Sequence, residues 1–214
     1  MMGILRVKDK RVVSRVVDVL ERGGVCVVPT DTVYGLIANA TDEKAVQKIF
    51  SIKGRLKDKA VSIFVDDIHM ARQYAEILEK VEDFLERVWP GPVMGVFKAA
   101  HQNGLSSVLA GRKGTVGMRA PDHEFLQKIL SSVDFPLAQS SANISGKLPA
   151  KHVDEVVLYF QNKEIQPDLV VDGGALGRRP STVVDFSRNK PTVLREGAVS
   201  KKKILGLLQE LGLL

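Results

Sequence analysis

The chain has 214 residues, 44% of them hydrophobic, enough to bury one sizeable core in a single domain spanning 1–214. Its apolar runs are broken by charge or glycine every few positions, which excludes a membrane helix. The opening MMGILRVKDKRVV has neither the apolar length nor the cleavage site of a secretory signal, so a cytoplasmic location is expected; the single cysteine, Cys26, excludes an internal disulfide, and the formal charge of +6 favours polyanions such as nucleotides or RNA. In chain order, Val13, Val16, Val17 and Leu20 recur at helical spacing and predict an amphipathic helix ended by Gly23-Gly24. Val25 to Val28, short, mostly β-branched and stopped by Pro29, predicts a buried strand. Thr41 as N-cap, with Asp42 and Glu43 behind it, predicts a helix to about Ile52. Further strands are expected at 61–65, 93–98, 115–119, 169–172, 182–186 and 192–195, and helices at 68–75, 78–88, 124–130 and 153–160. A last helix carries Ile204, Leu207, Leu208 and Leu211 as a core-facing stripe. Such a mixture predicts an α/β fold with an open, twisted mixed sheet flanked by helices.

Four groups of residues carry chemistry. Pro29-Thr-Asp-Thr-Val-Tyr-Gly-Leu36 leaves a buried strand with two hydroxyls, a carboxylate and a phenol, suited to a small polar ligand and equally to a tight turn bonding its own backbone. Lys53, Arg55, Lys57 and Lys59 alternate just past a helix end, where an extended segment would turn them to one face and a phosphate chain; a solvated basic loop has the same composition. Gln139-Ser-Ser-Ala-Asn-Ile-Ser-Gly146 reads as a loop of small donors able to meet an anion, without the spacing of a P-loop. Asp172-Gly-Gly174, Arg178 to Asp185 and Leu194-Arg-Glu-Gly197 add cations and hydroxyls near strand ends. His69, His101, His123 and His152 show no metal-ligand spacing, and no G-x-S-x-G nucleophile motif occurs.

In order along the chain, PTDTVYGL (29–36), KGR (53–55), WPGP (89–92), TVGMRAPDH (115–123), SSANISG (140–146), DGG (172–174), STVVDF (181–186) and LREGA (194–198) resemble the YrdC-like threonylcarbamoyl-AMP synthases, in the short form without an added domain. The resemblance implies a YrdC/RibB-like sheet with a basic concave surface. It also implies an enzyme that condenses L-threonine, bicarbonate and ATP to threonylcarbamoyl-adenylate and pyrophosphate. A separate transferase complex then modifies a tRNA adenosine beside the anticodon. By motif position, Thr32, Arg119 and Ser181 would hold threonine, with Arg119 on its carboxylate. Lys53, Arg55, Lys59, Ser141, Asn143 and Arg195 would surround the nucleotide, with Lys53 and Arg55 stabilising charge during reaction. Mg2+ would arrive with ATP rather than on a protein ligand set, and tRNA would meet the basic surface. The chain departs from the pattern at Leu56, at Met94-Gly95, at Gln139 and at Phe64, which stands where relatives have a histidine. Two other readings share parts of this signal: a non-catalytic tRNA- or double-stranded-RNA-binding module, and carbamoyl-adenylate chemistry starting from carbamoyl phosphate.

Overall fold

The computed structural model describes residues 3–54, 61–101, 104–109, 114–177 and 179–214. Among these residues eleven strands form one mixed sheet: β1 (Gly3–Arg6), β2 (Cys26–Val28), β3 (Gly35–Asn39), β4 (Ser62–Phe64), β5 (Ala75–Glu76), β6 (Val93–Ala99), β7 (Thr115–Arg119), β8 (Leu137–Ser141), β9 (Leu169–Asp172), β10 (Thr182–Asp185) and β11 (Thr192–Arg195). Their order is β1-β9-β2-β3-β8-β4-β7-β6-β10-β11, with β5 added to β6. Parallel pairs (β1/β9, β2/β9, β4/β7, β6/β10) alternate with antiparallel ones such as β3/β8 and β6/β7. The expected open mixed sheet is therefore the one observed.

Among the described residues seven helices flank it: α1 (Val12–Glu21), α2 (Glu43–Lys53), α3 (Ile68–Tyr74), α4 (Glu79–Val88), α5 (Glu124–Leu130), α6 (Val153–Phe160) and α7 (Lys201–Glu210). Strand side chains alternate between faces, and the two cores follow that alternation. Cys26, Val28, Ile37, Phe64, Leu137, Leu169 and Val171 point to one face, against Val12, Val16 and Leu20 of α1 and Phe125, Leu126, Ile129 and Leu130 of α5. Val27, Leu36, Ala38, Ile63, Met118, Ala138, Val170 and Val184 point to the other, where residues of the remaining five helices cover them. Each large aliphatic or aromatic side chain so buried contributes roughly 1.5–3 kcal/mol. α1 and α5 cover this face over β9, β2 and β3 and over the Leu137 and Phe64 ends of β8 and β4; the remainder of β8 and β4, with β7, β6 and β10, is left open, and there the cleft forms.

Several expectations change. Asp42, not Thr41, caps α2: its carboxylate accepts from Lys44 N at 2.8 Å and Ala45 N at 3.2 Å, while the Thr41 hydroxyl donates to Asn39 Oδ1. Residues 139–141 are strand rather than loop, since β8 continues to Ser141 opposite Gly35 of β3. Strands β1, β3 and β5 had no separate expectation; β3 begins within the stretch read as a ligand loop, at Gly35 and Leu36, and runs on to Asn39. Lys53 is the last residue of α2 and buried, so it does not open the extended basic segment; Arg55, Lys57 and Lys59 of that segment lie outside the described residues.

Candidate active site

The uncovered sheet face holds a cleft of about 360 Å³. Along β7 its floor carries Thr115, Gly117 and Arg119; along β8, Gln139 and Ser141; on β4, Ser62; on β6, Met94 and Val96; on β10, Val183. These positions share a face with Ile37, Phe64 and Leu137 by the two-residue alternation of their strands. Thr30, Thr32 and Tyr34 form one wall, and Pro180, Ser181 and Arg195 another. Five of the residues singled out in the sequence, Thr32, Arg119, Ser141, Ser181 and Arg195, therefore meet at one cleft although they span most of the chain.

The Thr-Asp-Thr turn divides its work. Thr30 Oγ1 donates to Val33 O at 2.7 Å and accepts the backbone amides of Thr32 and Val33. With that proton committed, the 3.0 Å contact between the two hydroxyls has Thr32 as donor, leaving Thr32 lone pairs for a ligand. Asp31 goes elsewhere: its carboxylate is 0% exposed and takes Arg119 Nη2 on Oδ1 at 2.7 Å and Arg119 Nη1 on Oδ2 at 2.8 Å. Arg119 is itself 2% exposed, donates a further bond from Nη1 to Gly91 O, and has the Phe64 ring 4.7 Å from its guanidinium carbon. Two buried polar atoms beside this group, Arg119 Nε and His123 Nδ1, meet no protein partner. Burial holds the His123 imidazole below its ordinary pKa, opposed by the charge of Asp31.

The WPGP segment braces this end of the site. Trp89 Nε1 donates to Val93 O, Gly91 N donates to Ala120 O, and Gly91 O receives Arg119. Met94 faces the cleft, whereas Gly95 faces the opposite side. A Cβ at Gly95 would lie 2.3 Å from the Phe97 ring, which stacks on Phe186 at 5.5 Å, so this departure from the expected pattern makes room for an aromatic pair.

At the other end, Lys53 fastens α2 to the end of β8. It is 2% exposed, and its Nζ donates to Ser141 O, to Asn143 O at 3.1 Å and to Asn143 Oδ1 at 2.8 Å. Ser141 Oγ donates to the same Oδ1 at 2.7 Å, and Asn143 Nδ2 holds Ile144 O and Lys147 O. Thus Lys53, Ser141 and Asn143 are brought together, with Ser141 on the cleft floor and the other two packed behind it. Arg55 and Lys59, expected beside them, lie outside the described residues.

The remaining motifs shape the rim. Tyr34 Oη donates to Gly174 O at 2.8 Å and accepts Gly173 N at 3.0 Å, tying PTDTVYGL to DGG. A Cβ at Gly173 would lie 2.6 Å from Pro29, so the crossing of these segments needs glycine. Arg195 Nε and Nη2 donate to Ser181 O, and Thr182 Oγ1 joins Val199 O to the amides of Gly197 and Val199.

Reading of the sequence missed Asp31, Ser62 and Gln139 as contributors. Asp31 had a signal: a carboxylate straight after a buried strand requires a cation. Ser62 had one too, as the polar residue of the otherwise apolar stretch Val61 to Val65, at the alternation that faces away from Ile63. Among the described residues no group of three or more His, Cys, Asp or Glu side chains stands close enough to hold a metal ion, and no helix is long and apolar enough to cross a membrane.

Fold and site together define an α/β protein with a polar, cation-walled cleft on the open half of a mixed sheet. The family model described as "Telomere recombination", that of Sua5, YciO and YrdC, matches residues 18–197, and the chain belongs to this family. The threonylcarbamoyl-AMP synthase of Pyrococcus abyssi is 35% identical over 195 residues, which cover 90% of this chain and 56% of that protein. A putative threonylcarbamoyl-AMP synthase of Methanocaldococcus jannaschii is 35% identical over 85% of this chain and 84% of its own length; the human threonylcarbamoyl-AMP synthase is 34% identical over 91% and 70%. The chain thus spans little more than half of the Pyrococcus relative and most of the other two. Among solved structures, P. abyssi Sua5 complexed with L-threonine superposes with a TM-score of 0.89 at 31% identity, covering 98% of this chain and 61% of that one. E. coli YciO has the same fold, with a TM-score of 0.85 at 24% identity over 95% and 99% of the chains.

Proposed function

We propose that the protein is an L-threonylcarbamoyladenylate synthase, a nucleotidyltransferase acting in the cytoplasm on the path to threonylcarbamoyl-modified tRNA. The observation that carries this reading is the meeting of Thr32, Arg119, Ser141, Ser181 and Arg195 at one cleft, in a family whose relatives bear that activity in their names. Thr32, Arg119 and Ser181 hold L-threonine. Asp31 takes one N–H from each Nη of Arg119, so a substrate carboxylate docks on the edge formed by the second Nη2–H and the unanswered Nε–H.

The threonine amine, as the neutral base, attacks bicarbonate carbon; a C–N bond forms, and water leaves, giving the N-carboxylate. A carbamate oxygen then attacks the α-phosphorus of ATP, and the bond to pyrophosphate breaks in line. Such a centre needs positioning and charge neutralisation more than a covalent nucleophile. Lys53 and Arg55 supply that charge, with Lys59, Ser141, Asn143 and Arg195 around the nucleotide. Lys53 exchanges the Ser141 and Asn143 carbonyls it now holds for phosphate oxygens. Mg2+ would neutralise the phosphates and travel on them; Asp31, the carboxylate of the turn, has both oxygens committed to Arg119 and fits no metal role. The product passes to a threonylcarbamoyl transferase complex, and tRNA meets the basic surface.

The test is pyrophosphate release from ATP and Mg2+ with and without L-threonine and bicarbonate, alongside mass detection of the adenylate. Release that requires both co-substrates establishes the synthase. Dependence on carbamoyl phosphate instead, or absence of turnover with salt-sensitive RNA binding, overturns it.

A further inference from the structure

The middle of the cleft floor carries a polar pair with no role in the chemistry above. Ser62 of β4 stands in register with Gln139 of β8, both line the cleft, and Gln139 Nε2 donates to Ser62 Oγ. That bond commits the amide nitrogen and leaves Oε1 as the acceptor of a side chain that lines the cleft. The position lies between the two ends of the site. On β7, Gly117 is two residues, or about 7 Å, from Arg119. A Cβ built on Gly117 would lie 3.4 Å from Ser62 Cβ, so Gly117 and Ser62 share the middle row with Gln139. On β8, Ser141 is the same distance from Gln139 in the direction of Lys53 and Asn143. Beyond Ser62 that row offers no polar side chain at Gly117 or Val96, and Asp185 of β10, next in register, has its Oδ1 taken by the amide and hydroxyl of Ser187.

We propose that Gln139, held by Ser62, is a specificity-determining residue that accepts a hydrogen bond from the α-amine of the amino-acid substrate and then from the carbamate N–H made from it. The inference rests on the synthase reading. The amine is two bonds from the carboxylate carbon. A substrate with its carboxylate on Arg119 and its reacting end directed toward Ser141 therefore carries the amine over the middle row. There a carbonyl acceptor takes one N–H and aims the nitrogen lone pair at the incoming carbon. It also discriminates against hydroxy acids and simple carboxylates that would satisfy Arg119 equally well, because an acceptor desolvated by the ligand and left without a donor is costly.

The test is calorimetric binding of L-threonine and of 3-hydroxybutanoate, which has the same carboxylate and hydroxyl but no amine, to the wild-type chain, Q139L, Q139E and S62A, with thermal unfolding as the check on folding. The wild type prefers L-threonine. Q139L reduces that preference by about tenfold or more, mainly through weaker threonine binding, as expected for loss of one hydrogen bond to a charged group. Q139E, which keeps an acceptor oxygen, retains the preference, and S62A reduces it less than Q139L. An unchanged ratio in Q139L, or equal weakening of both ligands, overturns the proposal while the synthase reading stands. A wild-type chain that binds no L-threonine and releases no threonine-dependent pyrophosphate overturns both.

Discussion

Asp31 and Arg119 show how a buried cation lining the cleft is kept in place by a carboxylate whose own oxygens are both committed to it. An arginine that is 2% exposed has lost nearly all contact with water, so its charge must be met from within the protein. The two-point bond to Asp31, the Gly91 carbonyl and the Phe64 ring do this together. Removing one partner leaves the other charged and buried, which costs about 3–5 kcal/mol. D31A should therefore lower the denaturant-unfolding free energy by that order, and threonine binding should weaken with it. Arg119→Lys cannot reproduce the fork and should weaken threonine binding while leaving ATP binding nearly intact, measured by titration of each ligand. The neighbouring His123 supplies a pH signature. Burial lowers its pKa in the folded chain below the unfolded value near 6.5. Below 6.5 the unfolded chain takes up the proton first, so this residue's contribution to stability is present above 6.5 and is lost as pH falls toward the lowered value. Thermal midpoints followed from about pH 7 to pH 5 should fall less in H123Q than in the wild type.

The elements carry their own logic, and much of it was legible in the sequence. Helices α1, α4, α6 and α7 and strands β6, β7, β9, β10 and β11 follow directly from the 3.6- and two-residue periods, because each buries one stripe or face. Strands β3 and β8 were obscured by function. Gly35 and the run Gln139-Ser-Ser141 carry the small and polar residues that a cleft floor needs, and those residues erase the apolar alternation by which a strand is recognised. The short β1 and β5, four and two residues long, lie near the lower limit at which any period is visible. Of the site, the hydroxyls and cations were legible by motif, whereas the Asp31–Arg119 and Gln139–Ser62 pairings join residues 88 and 77 positions apart and needed the sheet register to appear. Gly117 tests the strand itself. A Cβ there would meet Met94 Sδ and Ser62 Cβ at 3.4 Å, close to ordinary contact, and β-branched residues suit strands. G117V should thus retain a near-wild-type thermal midpoint while its side chain fills the floor. A fall in threonine and ATP affinity with unchanged stability is the expected result; a large loss of stability would place the glycine in the packing instead.

At the scale of the molecule, the cleft exists because two helices cover only half of one sheet face. Its walls then draw on segments from Thr30 to Arg195, joined across β8, β4, β7, β6 and β10. A ligand seated there bridges strands that neighbour one another in the sheet but not in the chain, so its binding free energy is added to the folding of the whole sheet rather than to one loop. Thermal unfolding should accordingly shift upward as one transition. At a free ligand concentration near one hundred times its dissociation constant, the stabilisation is about 2.7 kcal/mol, enough to raise the midpoint of a chain this size by several degrees. L-threonine and Mg-ATP together should shift it further than either alone, and the shift from threonine should persist at high salt, because its contacts are buried. Stabilisation by tRNA bound as proposed, on surface cations with release of counterions, should fall steeply as salt rises. A chain stabilised by tRNA in low salt yet unmoved by threonine or nucleotide at saturating concentration would be an RNA-binding module using the same fold.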